Sequence, residues 1–235
     1  MSHPTELLPD PLPAEPLLVV NRWLAESWRV RQQPNPNSMV LATVGPNGQP
    51  SARVVLCKEI VPLPGYLVFY TNYLSYKGRQ LEQNPRAAAV MHWDALHRQV
   101  RVEGIVVKSP EADSDAYFAS RPWQSRLGAW ASAQSEPIGS RSDLHAAVAK
   151  TAERFGTPPP DSADPNDISV PRPPHWGGYH LWVESVELWV EGEARIHDRA
   201  RWTRSLSRRR AEASTGSTDE TYMDAGPWTA TRLQP

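Results

Sequence analysis

The segment EGEARIHDRARW, residues 191–202, places Arg195, His197, Arg199 and Arg201 on every second position. In an extended strand that period puts all four side chains on one face. Three guanidiniums and an imidazole on one face repel one another unless something anionic lies against them. Other stretches also suit anions. YTNYLSYKGR sets hydroxyls and Lys77 at a strand-to-helix turn, where a helix N-terminus presents backbone N–H groups to a phosphate. On its own, that stretch fits an ordinary N-capped surface helix better. YFASRPWQS spaces Tyr117, Arg121 and Ser125 four residues apart. On a continuous helix they would share a face suited to a phosphate monoester. Taken alone the trio is more simply a solvated face, and Pro122 interrupts its last step.

Arg53 and Lys58 end the apolar stretch SARVVLCK, on opposite faces unless a bulge intervenes. Gln99 lies in the strand-like RQVRVEG, where an amide could read a ring edge, and Gln134 and Ser135 lie in a polar turn. Other chemistries are poorly served. His92 and His97 have no carboxylate or cysteine at ligand spacing, Cys57 is a lone cysteine, and no metal site is expected. There is no G-x-S-x-G elbow, GxGxxG or P-loop. The tally is several separate phosphate-type clusters, many aromatic rings and little acid–base machinery. It suits a protein that holds a phosphorylated ring cofactor and lets that cofactor do the chemistry.

The elements that must position these residues read as short strands joined by hairpins, with helices spliced between. A helix is expected from Leu17 through Trp28, and a hairpin over 39–60 with its turn at Asn47-Gly48. Strands are expected at 65–72, over AAAVMHW, RQVRVEGIVVKS and GYHLWVESVELWVEG, over the opening segment and at the C-terminal end. Helices are expected over 75–85, over 109–122 with Ser109 as N-cap and Pro110 as first residue, and over 140–156. The domain reading is a flexible Pro-rich arm over 1–16, then a single domain over 17–235. Within it, 170–235 forms a C-terminal region whose polar stretch 205–226 is a long hairpin insertion or a loop.

Net charge is −1 over 235 residues, which argues against a general nucleic-acid binder, and the triplet Arg208–Arg210 reads as part of a solvated loop. One cysteine fits a reducing compartment. The N-terminal stretch reads as neither signal peptide nor membrane span, so a cytoplasmic protein is expected. Ten tryptophans suit core and interface for the most part.

Taken in order, RVVLCK, FYTNYLSYKGRQL, NPRAA, RQVRVEG, YFASRP, VPRPPHWGGY, ELW, RIHDR and the terminal RLQP resemble the pyridoxine/pyridoxamine 5′-phosphate oxidase family from about Met39 to Pro235. The resemblance implies a mainly β fold with α-helices: an antiparallel split β-barrel with surrounding helices, forming a homodimer with FMN at the interface. It assigns FMN contacts to Arg53, Val54, Val55, Leu56, Cys57, Lys58, Tyr70, Thr71, Tyr76, Lys77, Gln99, Gln134, Ser135, Trp189 and Arg199. The substrate phosphate falls to Lys58, Tyr117, Arg121 and Ser125. Arg195 and His197 are implied as the catalytic pair over the pyridine ring, and Arg201 is structural. The implied reaction oxidises pyridoxamine or pyridoxine 5′-phosphate with dioxygen, giving pyridoxal 5′-phosphate and hydrogen peroxide. Alternatives are a phenazine-pathway type of FMN oxidase acting on another ring, or a non-catalytic flavin- or pyridoxal-phosphate-binding protein. The chain departs from the family pattern in two places. Tyr76 stands where the family usually has an arginine at the FMN phosphate, and residues 1–20 lack the Arg-x-Glu-Tyr segment that closes over substrate.

Overall fold

A computed structural model describes residues 6–158, 169–210 and 221–235. In chain order the elements are α1 (Pro16–Val30), β1 (Ser38–Val44), β2 (Pro50–Leu56), β3 (Glu59–Val61), β4 (Tyr66–Asn72), α2 (Tyr76–Gln83), β5 (Arg86–Trp93) and β6 (Arg98–Lys108). Then come α3 (Glu111–Ala119), α4 (Trp123–Ala131), α5 (Arg141–Arg154), β7 (Trp176–Val190), β8 (Asp198–Thr203), β9 (Leu206–Arg210), β10 (Thr221–Ala225) and β11 (Thr229–Leu233). The chain divides into two compact units. One holds the described residues of 1–69, 84–107 and 180–235, and the other those of 70–83 and 108–179.

The first unit is built on antiparallel strands. Neighbouring strands run β11-β8-β7-β6-β5-β1-β2, with β3 paired to β4. The β1–β2 hairpin closes through Gly48, whose positive φ of 79° is the left-handed conformation that an Asn-Gly turn supplies. Alternation decides which way each strand faces: Met39, Leu41 and Thr43 of β1 are buried while their neighbours are half-buried or exposed. Leu181, Val183, Val186 and Leu188 of β7, with Ala200 and Trp202 of β8, are fully buried. Each large side chain buried in this way contributes about 1.5–3 kcal/mol. Gly104 lets β6 lie close to β7, since a Cβ there would stand 1.8 Å from the Trp182 carbonyl oxygen.

The described part of the N-terminal arm is packed rather than free. Leu8 is buried and its N–H donates to Asp198 Oδ2 at 2.7 Å, while Trp202 Nε1 donates to the Pro13 carbonyl at 2.7 Å. Burial of an apolar side chain and two long-range hydrogen bonds outweigh the loop-like composition of the arm. Residues 1–5 lie outside the described residues. Within 205–226, β9 and β10 pair antiparallel, and 211–220 lie outside the described residues.

The second unit is mainly helical. Trp123 and Leu127 of α4 pack with Ala152 of α5 and Val170. Sequence reasoning missed α4, and a continuous helix through Ser125 does not form. α3 ends at Ala119, and α4 begins anew after Pro122, whose ring cannot continue the preceding turn. Ser109 does not cap α3: the N-cap position is Pro110, and the Ser109 hydroxyl pairs with that of Ser114 at 3.0 Å. Ser140 does cap α5, accepting from the Asp143 N–H at 3.1 Å. Six tryptophans, Trp23, Trp93, Trp123, Trp176, Trp182 and Trp202, are buried, so core packing accounts for most of the ten. No helix among the described residues is long and apolar enough to cross a membrane.

Candidate active site

In the helical unit a polar cluster forms at the start of α2. The Ser75 hydroxyl donates to the Asn72 carbonyl at 2.7 Å and accepts from the Gly78 N–H at 3.3 Å. Lys77 is buried, and its ammonium donates to Ser75 Oγ at 3.1 Å and Gln134 Oε1 at 2.9 Å. Thr71 Oγ1 donates to the same Gln134 oxygen at 3.2 Å. These two oxygens are neutral dipoles. Gly78 makes the turn feasible, because a Cβ there would stand 2.0 Å from the Tyr73 carbonyl oxygen. Tyr76 is half exposed at the first position of α2, and Ser135 takes a left-handed φ of 75° beside Gln134.

The same unit stacks three rings. Tyr70 and Tyr117 lie face to face with centroids 3.9 Å apart, and Tyr70 and Trp176 are parallel at 5.6 Å. The Arg121 guanidinium sits over Trp176 at 4.6 Å, and its Nη1 is buried with no hydrogen-bond partner among the described residues. Burial pushes the Arg121 pKa below the ordinary arginine value, although Tyr117 acts in the opposite direction. A buried N–H left bare costs about 1–3 kcal/mol, so this guanidinium is suited to receive an anion. Ser125 is half-buried at the third residue of α4. The WGGY motif is what brings these side chains together. A Cβ on Gly178 would meet Ser109 Oγ at 2.3 Å and the Tyr70 ring at 2.8 Å, and one on Gly177 would meet the Tyr73 hydroxyl at 2.1 Å.

In the sheet unit the opening segment is not one strand. β8 begins only at Asp198, and residues 193–195 form a tight 3-10 turn in which Ala194 and Arg195 take φ values of 51° and 65°. Arg195 and His197 therefore do not share a strand face with Arg199 and Arg201. Those two arginines do alternate with the buried Ala200 and Trp202, and the anion against them is the protein's own. Glu187 of β7 is only 4% exposed. It accepts from Arg199 Nη2 at 2.6 Å, from Arg201 Nη2 at 2.9 Å and from Arg101 Nη1 at 3.4 Å. Burial alone would raise the carboxyl pKa. The hydrogen bonds from Arg199 and Arg201 outweigh burial, and the net direction is down. Glu187 was missed in the sequence, yet the β7–β8 hairpin register, Glu187 opposite Arg201, is the signal that could have found it.

Elsewhere in this unit, Arg53 donates to Thr43 Oγ1 at 2.7 Å, Ser51 Oγ at 2.6 Å and the Leu41 carbonyl at 3.0 Å. β2 ends before Lys58, which is exposed and whose N–H donates to the Val68 carbonyl. Val54 is exposed, while Val55 and Leu56 are half-buried. Cys57 is buried, and burial pushes its thiol up to about 12, so the thiol stays protonated near neutral pH. Gln99 is half-buried opposite His92. The Trp189 ring leans on His197 at 4.6 Å with a 42° tilt.

The structure of PhzG from Burkholderia lata 383, in complex with tetrahydrophenazine-1-carboxylic acid, matches with a TM-score of 0.75 and 27% identity, covering 95% of this chain and 94% of that one. A pyridoxamine 5′-phosphate oxidase-related, FMN binding protein from Nostoc punctiforme matches in fold with a TM-score of 0.61 at 19% identity, covering 92% of this chain and 96% of that one. The fold is thus a mainly antiparallel split β-barrel with inserted helices. The chain belongs to the pyridoxamine 5′-phosphate oxidase family of oxidoreductases. Residues 29–155 match the family described as pyridoxamine 5′-phosphate oxidase, and residues 176–235 match its pyridoxine 5′-phosphate oxidase C-terminal dimerisation region. Relatives named pyridoxine/pyridoxamine 5′-phosphate oxidase include one from Ralstonia pickettii, 45% identical, covering 94% of this chain and 90% of the relative. Another, from Paracoccus denitrificans, is 43% identical, covering 94% and 95%.

Proposed function

We propose that this protein oxidises pyridoxamine 5′-phosphate or pyridoxine 5′-phosphate with dioxygen, giving pyridoxal 5′-phosphate and hydrogen peroxide, as a homodimer that uses FMN. The observation that carries the reading is the bare, buried Nη1 of Arg121 beside Tyr117 and over Trp176. A phosphate monoester supplies the missing acceptor, and Ser125 of the same unit adds a hydroxyl. The donor set also fits FMN. Buried Lys77, held by neutral oxygens at the start of α2, can neutralise a phosphate with Thr71, Gln134 and Ser135 as polar partners.

Bound FMN supplies the two-electron acceptor and the route of those electrons to dioxygen. The chain's own residues bind and orient. In the helical unit, Arg121 and Tyr117 hold the substrate phosphate, and Lys77 holds that of the flavin. In the sheet unit, Arg53, Gln99, Trp189 and Arg199 serve the flavin, while Arg195 and His197 align the pyridine ring. Alignment of this sort is worth rate because it replaces a random encounter with a fixed geometry. A second reading, oxidation of a phenazine-type ring, draws on the fold match with PhzG.

An absorption spectrum of the FMN-loaded protein, taken before and after anaerobic pyridoxamine 5′-phosphate, tests the proposal. Bleaching of the flavin, with colour returning in air, is the expected outcome. Flavin that stays oxidised with this substrate but bleaches with a reduced phenazine carboxylic acid moves the function to the second reading. A flavin that responds to neither points to a binding protein.

A further inference from the structure

We infer that Gly192 is a positioning residue for His197: its backbone N–H fixes the neutral imidazole as the Nε2–H tautomer and leaves Nε2 to donate, not accept, a hydrogen bond. The Gly192 N–H donates to His197 Nδ1 at 3.2 Å. A backbone amide has no lone pair to offer, so Nδ1 must carry none of the ring's protons in this arrangement. The proton of the neutral ring then lies on Nε2, whereas a proton on Nδ1 would set two N–H groups against each other.

The local backbone is built for this contact. Glu191 is anchored on one side, its N–H donating to the His97 carbonyl at 2.9 Å while its carboxylate contacts the His97 ring. The chain then doubles back through the 3-10 turn at 193–195. The consecutive left-handed residues Ala194 and Arg195 supply the reversal, and the Ile196 N–H closes it on the Glu193 carbonyl at 2.9 Å. Left-handed φ at two successive non-glycine residues is a local cost met by the surrounding structure, as is common where a side chain must be aimed. Gly192 itself has an ordinary extended backbone, φ −118° and ψ 154°, so its lack of a side chain serves clearance. A Cβ there would stand 1.8 Å from the Ile196 carbonyl oxygen and 3.3 Å from the His197 Cα. No other residue type allows the amide to come this near the imidazole without moving the turn. The Trp189 ring, 4.6 Å away at a 42° tilt, also packs against the imidazole.

The chemical consequence rests on the function proposed above. Facing a pyridine ring, His197 would give an N–H to a substrate oxygen or nitrogen and would not remove a proton. The tautomer itself does not depend on that reading.

The decisive measurement is nitrogen-15 NMR of the FMN-loaded protein at about pH 8, above the ordinary histidine range, with His197 assigned through His197→Gln. The expected result is a pyridine-type Nδ1, a protonated Nε2 and a through-hydrogen-bond coupling between the Gly192 amide nitrogen and Nδ1. In Gly192→Ala the coupling should vanish and the two tautomers should mix. A proton on Nδ1 in the unmodified protein, or a missing coupling, overturns the inference even if Gly192→Ala does not fold. In turnover, His197→Gln, which keeps an N–H donor, should retain more kcat than His197→Glu, which at that pH offers only acceptor oxygens. The opposite order overturns the donor role. An intact coupling in a protein whose flavin is not bleached by pyridoxamine 5′-phosphate would sink the proposed function while leaving the tautomer standing.

Discussion

Arginines in the two units meet opposite electrostatic circumstances. In the sheet unit, Arg199, Arg201 and Arg101 converge on one buried carboxylate, Glu187. In the helical unit, Arg121 lies against the Trp176 face with Nη1 buried and bare. A guanidinium whose anion is built into the fold, as at Arg201 and Arg101, works mainly as a structural tie. One whose donors are desolvated and left open is held ready for a ligand. The same residue type thus serves architecture where a carboxylate is built against it, as at Arg101 and Arg201, and recognition where a buried donor is left open, as at Arg121.

The largest test of the contrast is Glu187→Ala. Removing the shared acceptor leaves three partly solvated arginines facing one another, and a loss of about 1.5–3 kcal/mol is expected. At roughly 2–4 °C per kcal/mol for a chain of this size, a thermal melt would show it clearly. A shift no larger than that of a surface substitution would break the structural half of the comparison.

Arg121→Ala should do the reverse. The KM for pyridoxamine 5′-phosphate should rise about 10–100-fold, since a hydrogen bond to a charged group contributes about 1.5–3 kcal/mol. The melting temperature should hold or rise slightly, because a buried unpaired donor is removed. A fall in melting temperature with unchanged KM would reassign Arg121 to structure.

Replacing Tyr76 with arginine adds a cation beside Lys77, at the position where the family resemblance expects one. FMN should bind up to about fivefold more tightly, as read by fluorescence titration, since exposed charge pairs contribute about 0.2–1 kcal/mol. No change would show that Lys77 and its neutral partners already suffice.

The smallest effect is in acid. With its pKa depressed, ionised Glu187 stabilises the fold fully above the ordinary carboxylate pKa, near 4.3. That contribution is lost as pH falls through the lower folded value. Glu187→Gln should therefore flatten stability against pH below about pH 4, in chemical denaturation at several pH values, and should leave the slope near neutrality alone.

Much of the fold was legible because its signals are local. The Asn47-Gly48 turn, the strand that became β6 and the helix over 140–156 each depend on a few neighbouring residues. The Ser109-Pro110 start failed because a buried serine found a better partner in Ser114 than in the helix end. Helix α4 was missed because Trp123, Leu127 and Trp130 reveal a face only once α5 and Val170 lie against them. For the site, the residue types in RIHDR were legible, but the assumed strand was not there. Whether a segment continues as a strand depends on the hairpin it closes, and here the reversal at 192–196 comes first.

The sequence by itself determined the family, most strand and helix positions, and the inventory of cations and hydroxyls suited to two phosphates. Those follow from residue type and short-range spacing. Only the tertiary structure decided which cations were already neutralised. Glu187 and Arg101 lie 86 positions apart, yet the β6–β7 and β7–β8 neighbours bring both to Arg199 and Arg201. Likewise, the glycines of WGGY have meaning only beside Tyr73, Tyr70 and Ser109. Charge balance and close approach are properties of what folding brings together, and no window along the chain contains them.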